Sequence, residues 1–265
     1  MPTRREYDLA AERVKEIAER LYVQGKIRSA FLYGSYVINE YVPGFSDVDV
    51  FVALPREKIE KEVYKELNEL SNVVAHQFDI HCNYQIRGGK IRVDPFISWL
   101  LSEYNLPLVG IEPKQLLGYD KVKENWKSSG ELFAQKIIPK YVSELQKVLL
   151  QVGSDRTSFK NVPLPPSVLK RGIDYRLEMG GLIIDRVLDI TMYGNLLFND
   201  FAYRREEFVA KGITYLQGIV CDTQIIQKCL ELRTNWKNVR VTDLDVLIMN
   251  APDFTEDIAE WMRRI

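Results

Sequence analysis

Asp47 and Asp49 are the residues of this chain best suited to chemistry. They stand in Ser46-Asp47-Val48-Asp49, at the head of an apolar run that continues through Leu54. In an extended strand successive side chains alternate faces, so both carboxylates project from one side, about 7 Å apart along the backbone. Val48, Val50 and Val52 take the opposite face, which is the one to be buried. Two carboxylates held side by side repel unless a cation lies between them. Hard divalent ions such as Mg2+ take oxygen ligands, commonly one or two carboxylates with the rest from water and phosphate. The pair therefore reads as a metal site suited to a nucleoside triphosphate.

A second apolar run, Ala30 to Tyr33, ends at Gly34-Ser35, and a loop of ten residues separates that pair from Ser46. Glycine lets a strand end turn sharply and lets a phosphate approach the backbone. Ser35, at the start of a helix, would offer a hydroxyl and free N–H groups to an anion. The chain has no GxxxxGK[ST] run, so this is not the P-loop pattern. The plainer alternative is a β-hairpin carrying two solvated acids.

The order strand, Gly-Ser, loop, Ser-Asp-x-Asp, strand resembles the signature of the DNA polymerase β-like nucleotidyltransferase superfamily. The resemblance implies a third carboxylate from a neighbouring strand, and residues 72–86 read as that strand, with Asp79 and His81 on one face. Asp94 is the rival acid, but Pro95 follows it and an N-cap role fits it better. The resemblance also implies Mg2+ held by Asp47, Asp49 and Asp79. Gly34, Ser35 and Ser46 would then bind the triphosphate, with Arg204 a further contact. Asp79 would either complete a second metal site or take the proton from the attacking hydroxyl.

These residues need a scaffold. Helical spacing of Leu9, Val14, Ile17, Ala18 and Leu21 predicts a helix over 4–24. Strands at 27–33 and 48–54, a helix at 55–71, the Asp79 strand and a short strand near Lys90 to Val93 complete an α/β half. Strand signals then fade. A long helix over 119–151, a proline-rich loop, and helices near 167–195, 200–211, 213–233 and 242–264 follow. The expected fold is α+β: a catalytic domain with a small mixed sheet over 1–115, then a helical bundle over 116–265 that binds the acceptor.

Residues 102–133, SEYNLPLVGIEPKQLLGYDKVKENWKSSGELF, resemble the junction after the catalytic domain of streptomycin/spectinomycin-type aminoglycoside adenylyltransferases. This implies transfer of AMP from ATP to a hydroxyl of a small acceptor, with an aminoglycoside the first candidate. Asp79 stands where that family commonly carries Glu, one methylene longer. In the bundle, Asp174 and Glu178 lie one helical turn apart and could bind an ammonium group, as could Asp185 and Asp189. His81, beside Asp79, could touch the acceptor. Two other readings stay open: a minimal nucleotidyltransferase of the toxin–antitoxin kind acting on a protein or RNA end, and a non-catalytic nucleotide-binding module.

Composition narrows the partners. The chain has 36 Lys and Arg against 37 Asp and Glu, a net charge of −1. Enzymes that extend polynucleotides need a basic field to offset many phosphates, so the balance favours a small or cationic acceptor over nucleic acid. No apolar run reaches the roughly 20 residues of a membrane span, and residues 1–21 lack the apolar core of a signal peptide. Three scattered cysteines without a CxxC suit a reducing compartment. The expectation is a cytoplasmic protein, a monomer or small homo-oligomer.

Overall fold

A computed structural model describes residues 2–56, 61–89, 91, 100–117, 132–152, 175–198, 200, 202 and 204–265. It contains two compact units, residues 1–126 and 127–265.

The first unit opens with α1 (Arg4–Val23), started by a capping box in which Thr3 and Glu6 bond each other's backbone N–H. Its buried stripe, Tyr7, Ala10, Ala11, Val14, Ala18 and Leu21, has the 3.6-residue period of an amphipathic helix. Next come β1 (Ser29–Tyr33), β2 (Val48–Leu54), α2 (Lys61–Phe78), β3 (Cys82–Gly88), β4 (Asn105–Gly110) and the short α3 (Pro113–Leu117). The sheet is mixed, in the order β3-β2-β1-β4. β1 is antiparallel to β2 and β4, while β2 and β3 run parallel. Val48, Val50, Val52 and Leu54 join residues of α1 and α2 in the core, so the helices cover that face of β2. On the opposite side, Phe31 and Phe51 stack with ring centroids 4.9 Å apart and are fully buried.

The helix expected at 55–71 runs instead from Lys61 to Phe78, through much of the segment read as strand. Its buried residues, Val63, Leu67, Leu70 and Val74, keep helical spacing to the end. The strand therefore begins only at Cys82. β4 lies within the junction segment 102–133, where no strand was expected, and Lys90 and residues 92–99, with most of the short strand expected near Lys90 to Val93, lie outside the described residues.

In the second unit a π-helical turn (Phe133–Ile137) leads into α4 (Ile138–Val152), which continues past Pro139. α5 (Tyr175–Leu197), α6 (Arg205–Leu216), α7 (Gln224–Thr234) and α8 (Asp245–Arg264) follow. α5 is the central member and packs on α4, α6, α7 and α8. Its apolar residues surround it, as burial among four neighbours requires. At the α5–α6 contact Gly212 lets the helices approach closely, because a Cβ there would lie 2.1 Å from Thr191 Cγ2. Among the described residues no helix is long and apolar enough to cross a membrane.

Candidate active site

Asp49 is the fixed point of the site. It pairs with Tyr33 across β1 and with Asn83 across β3. The strand alternation puts it on the face opposite Val48, Val50 and Val52, and Asp47 immediately precedes the strand. Asn83 Nδ2 donates to Asp49 Oδ1 at 3.0 Å. The other carboxylate oxygen lies against Gly34, where a Cβ would come within 2.3 Å of Asp49 Oδ2. Gly34 also has φ +80°, so both space and backbone conformation require glycine there. Asp47 and Asp49 are half-buried.

The loop between Gly34 and Asp47 is strapped to α1. Tyr7, buried in that helix, donates its phenol to Ser46 O at 2.7 Å. Ser46 Oγ accepts from Val42 N at 2.8 Å, and Ser46 N donates to Val42 O at 2.9 Å. This serine is thus buried in the loop's own turn. Further along, Tyr36 donates to Asp8 Oδ1 at 2.9 Å, and Arg4 Nη1 donates to Asn39 Oδ1 at 2.7 Å. The Arg4 guanidinium also sits over the Tyr36 and Tyr41 rings, 5.1 and 5.3 Å from their centroids.

Neighbouring groups register the acids' charge. Burial raises the Tyr7 phenol well above its ordinary value, and the charges of Asp47 and, more weakly, Asp79 add to it. Burial likewise pushes the Cys82 thiol up to about 12, with Asp47 and Asp49 contributing. Tyr36 rises to about 12, first through burial and then through its bond to Asp8.

The other sequence-derived candidates fall as follows. Ser35 is buried, but residues 35–39 form hydrogen-bonded turns and not a helix start; Glu40 N bonds back to Ser35 O at 2.9 Å. Asp79 is not on a strand. It terminates α2 at φ +56°, its N–H still bonded to Ala75 O at 3.0 Å, and its side chain is exposed. Left-handed backbone is open to Asp because its short polar side chain tolerates it. Among the described residues no group of three or more His, Cys, Asp and Glu side chains is placed to hold a metal ion. His81 is exposed and precedes β3, with its carbonyl accepting from Val48 N at 2.9 Å. Asp94 and Asp174 lie outside the described residues. Glu178 is exposed in the first turn of α5, and Arg204 is exposed at the N-cap of α6.

Asp185 and Asp189 are not a free acidic face. Asp185 pairs with the buried Arg233, and Asp189 pairs with Arg186, whose Nε also lies 2.9 Å from Glu144. Burial, and then the charge of Asp185, push the Asp189 carboxyl up to about 6 although 30% of its side-chain surface stays open.

Sequence reasoning missed Tyr7 and Asn83. Asn83 was within reach, since the alternation that pairs Asp79 with His81 continues to it. Tyr7 carried no local signal, because its partner is 39 residues away.

Residues 11–98 match the family model of the nucleotidyltransferase domain. That span contains Gly34, Ser35, Asp47, Asp49 and Asn83. No curated protein matches the chain. Among solved structures, a toxin–antitoxin with AMP-PNP is 16% identical, with a TM-score of 0.33 over 48% of this chain and 96% of that one. A mutant of the toxin–antitoxin MntA-HpeT is 15% identical, with a TM-score of 0.32 over the same shares. Scores this low transfer neither a fold nor a partner to this chain.

The donor set fits a hard divalent ion. Asp49 and Asp47, which immediately precedes β2, both lie near enough to Cys82 to raise its thiol, and Gly34 leaves the space beside Asp49 that a larger residue would fill.

Proposed function

We propose that the chain is a Mg2+-dependent nucleotidyltransferase that moves a nucleoside monophosphate, AMP from ATP, onto a hydroxyl of a small acceptor. The observation that carries this reading is the acid pair of β2 set against the glycine turn, inside the stretch that matches the nucleotidyltransferase domain. When bound, Mg2+ would neutralise charge developing on the triphosphate as pyrophosphate leaves. Asp47 and Asp49 would hold it, with Asn83 and Gly34 fixing the angle of the Asp49 carboxylate. The Gly34–Ser35 turn would receive the phosphates through its backbone, and Arg204 is a further contact to test.

The attacking hydroxyl must lose a proton, and two side chains are candidates to accept it. Asp79 ends α2, and His81 precedes β3, whose first residues pair beside the acids. Either would act as a general base only within hydrogen-bond reach of the acceptor. An aminoglycoside is the first acceptor class to test, because the chain's near-zero net charge gives no general field for a polynucleotide. Glu178, exposed on α5, and Asp174 before it are the acids proposed for its ammonium groups.

Pyrophosphate release should be measured for each nucleoside triphosphate against aminoglycosides, RNA ends and candidate proteins, in wild type and Asp47→Asn. Release with one aminoglycoside that disappears in Asp47→Asn supports the reading. Release only with a protein or RNA favours the toxin–antitoxin kind of activity. Release unaffected by Asp47→Asn would remove the acid pair from the chemistry.

A further inference from the structure

We infer that the first two turns of α1 position the two halves of the site against each other, with Tyr7 setting the metal end and Arg4 and Asp8 the phosphate end. The inference rests on the nucleotide-binding reading above. Arg4, Tyr7 and Asp8 stand at i, i+3 and i+4, and so share one face of the helix. Each of the three side chains bonds the loop that joins Gly34 to Asp47.

That loop is folded as two turns. In the first, Ile38 N and Glu40 N donate to Gly34 O and Ser35 O at 3.4 and 2.9 Å, and Asn39 N donates to Tyr36 O at 3.2 Å. In the second, Val42 O accepts from Phe45 N and Ser46 N at 3.0 and 2.9 Å. Tyr41 stands between them, its ring centroid 4.6 Å from that of Tyr7 and 6.2 Å from that of Tyr36. The first turn carries the glycine that faces Asp49, and it is tied to α1 through Tyr36 and Asn39. The second ends at Ser46, whose carbonyl takes the Tyr7 phenol one residue before Asp47.

Each turn is closed by its own bonds, so what remains to be set is their placement relative to each other. The helix sets it from one rigid face. A divalent ion shared between protein carboxylates and a triphosphate needs both groups in place together. Holding them there during folding spares the nucleotide that ordering cost when it binds. The charge of Asp47 acts on the Tyr7 phenol, which puts the acid close to its tether. All three helix residues act through the loop and are positioning residues.

The two tethers should fail differently, and the full chain can show it with Mn2+ and the non-hydrolysable ATP analogue AMP-PNP. Calorimetry gives AMP-PNP affinity at saturating Mn2+. It also gives the free Mn2+ needed for half-maximal binding, with AMP-PNP held at the same multiple of each variant's own dissociation constant. Tyr7→Phe deletes one oxygen and keeps the ring. It should raise the Mn2+ requirement about tenfold or more, the usual effect of removing a group that orients a metal ligand. Saturating Mn2+ should then restore its AMP-PNP affinity. Tyr36→Phe and Arg4→Ala should do the converse, with an unchanged Mn2+ requirement and AMP-PNP weakened several-fold even at saturating Mn2+. Val14→Ala, in the buried stripe of α1 two turns beyond Tyr7, is the control for general stability. It should melt below wild type and keep both values.

A wild-type Mn2+ requirement in Tyr7→Phe, folded by circular dichroism, would overturn the inference, as would the same change in all three tether variants. Losses in Val14→Ala equal to those of the tether variants would overturn it too, because α1 would then act only through the stability of the fold. Arg4 is half-exposed at the start of the helix, so Arg4→Ala keeps the test decisive where Tyr7→Phe folds poorly. No Mn2+-dependent AMP-PNP binding by wild type would overturn the nucleotide-binding reading itself.

Discussion

Replacing Gly34 by alanine strikes the backbone and the acid pair at once, and the structure separates the two costs. A non-glycine residue at φ +80° loses about 1–2 kcal/mol relative to an unstrained conformation. The new Cβ would also lie 2.3 Å from Asp49 Oδ2, 3.1 Å from Cγ and 3.3 Å from Cβ, so the carboxylate must move by most of an ångström. Because Asn83 holds Oδ1, that movement stretches or breaks the 3.0 Å bond. Overpacking of this kind costs about 1–3 kcal/mol, giving a total near 2–5 kcal/mol. Gly25 is the internal control: its φ is +69°, but nothing lies within 4 Å of an added Cβ. Gly25→Ala should lose only the backbone share, about 1–2 kcal/mol. Denaturant unfolding of both variants, repeated in an Asp49→Ala background, isolates the crowding. The cost of Gly34→Ala should fall by about 1–3 kcal/mol when the Asp49 carboxylate is absent. An equal cost in both backgrounds would refute the claim that Gly34 is required by the Asp49 side chain. Transfer should fall by about a hundredfold or more in Gly34→Ala, since an ångström of displacement at a reacting centre costs that much.

Tyr7→Phe leaves the buried Ser46 carbonyl without its 2.7 Å donor, and should cost about 1–3 kcal/mol with an unchanged denaturant slope. An unchanged unfolding midpoint would mean that water replaces the phenol. Asp79→Asn keeps a residue type that tolerates φ +56°, so stability should stay within about 0.5 kcal/mol. Transfer should drop by about 10²–10⁴ if this carboxylate takes the proton, and unaltered turnover would exclude it. Asp189 sits at about 6 in the folded chain, above its unfolded value near 3.8, because burial disfavours its charge. Its contribution to stability is therefore fully present below about pH 4 and lost as pH rises through 6. Wild type should gain stability relative to Asp189→Asn as pH falls from 7 to 5, and a difference independent of pH would contradict that assignment.

The acid pair and its strand were legible because one strong rule governed them. A period of two set Asp49 apart from the valines, and β2 spans Val48–Leu54 with Val48, Val50 and Val52 in the hydrophobic core and Asp49 its one half-buried residue. Asp79 was misplaced because β-branched Val73 and Val74 drew attention from the longer period. Val63, Leu67, Leu70 and Val74 recur at helical intervals, and those are the buried residues of α2. The helix runs to Phe78, leaving Asp79 at its end in a left-handed turn. Bundle helices were readable as helices, but which of their acids are already paired was not. Arg233 meets Asp185 from 48 residues away, a contact set by the packing of α7 on α5. The loop's dependence on α1 was hidden for the same reason: Tyr7 looks like any buried residue of an amphipathic stripe until Ser46 folds against it.

The central claim is that Asp47 and Asp49 bind a nucleoside triphosphate through a divalent ion, and it needs no knowledge of the acceptor to test. Titration calorimetry of ATP and the other nucleoside triphosphates should be run with and without Mg2+, using wild type and the Asp47→Asn, Asp49→Asn double variant. The account predicts that wild type binds at least one triphosphate only when Mg2+ is present. The double variant should keep the wild-type fold by circular dichroism, since neutralising the pair removes repulsion, and should lose that binding. Equal Mg2+-dependent affinity in both proteins would contradict the account.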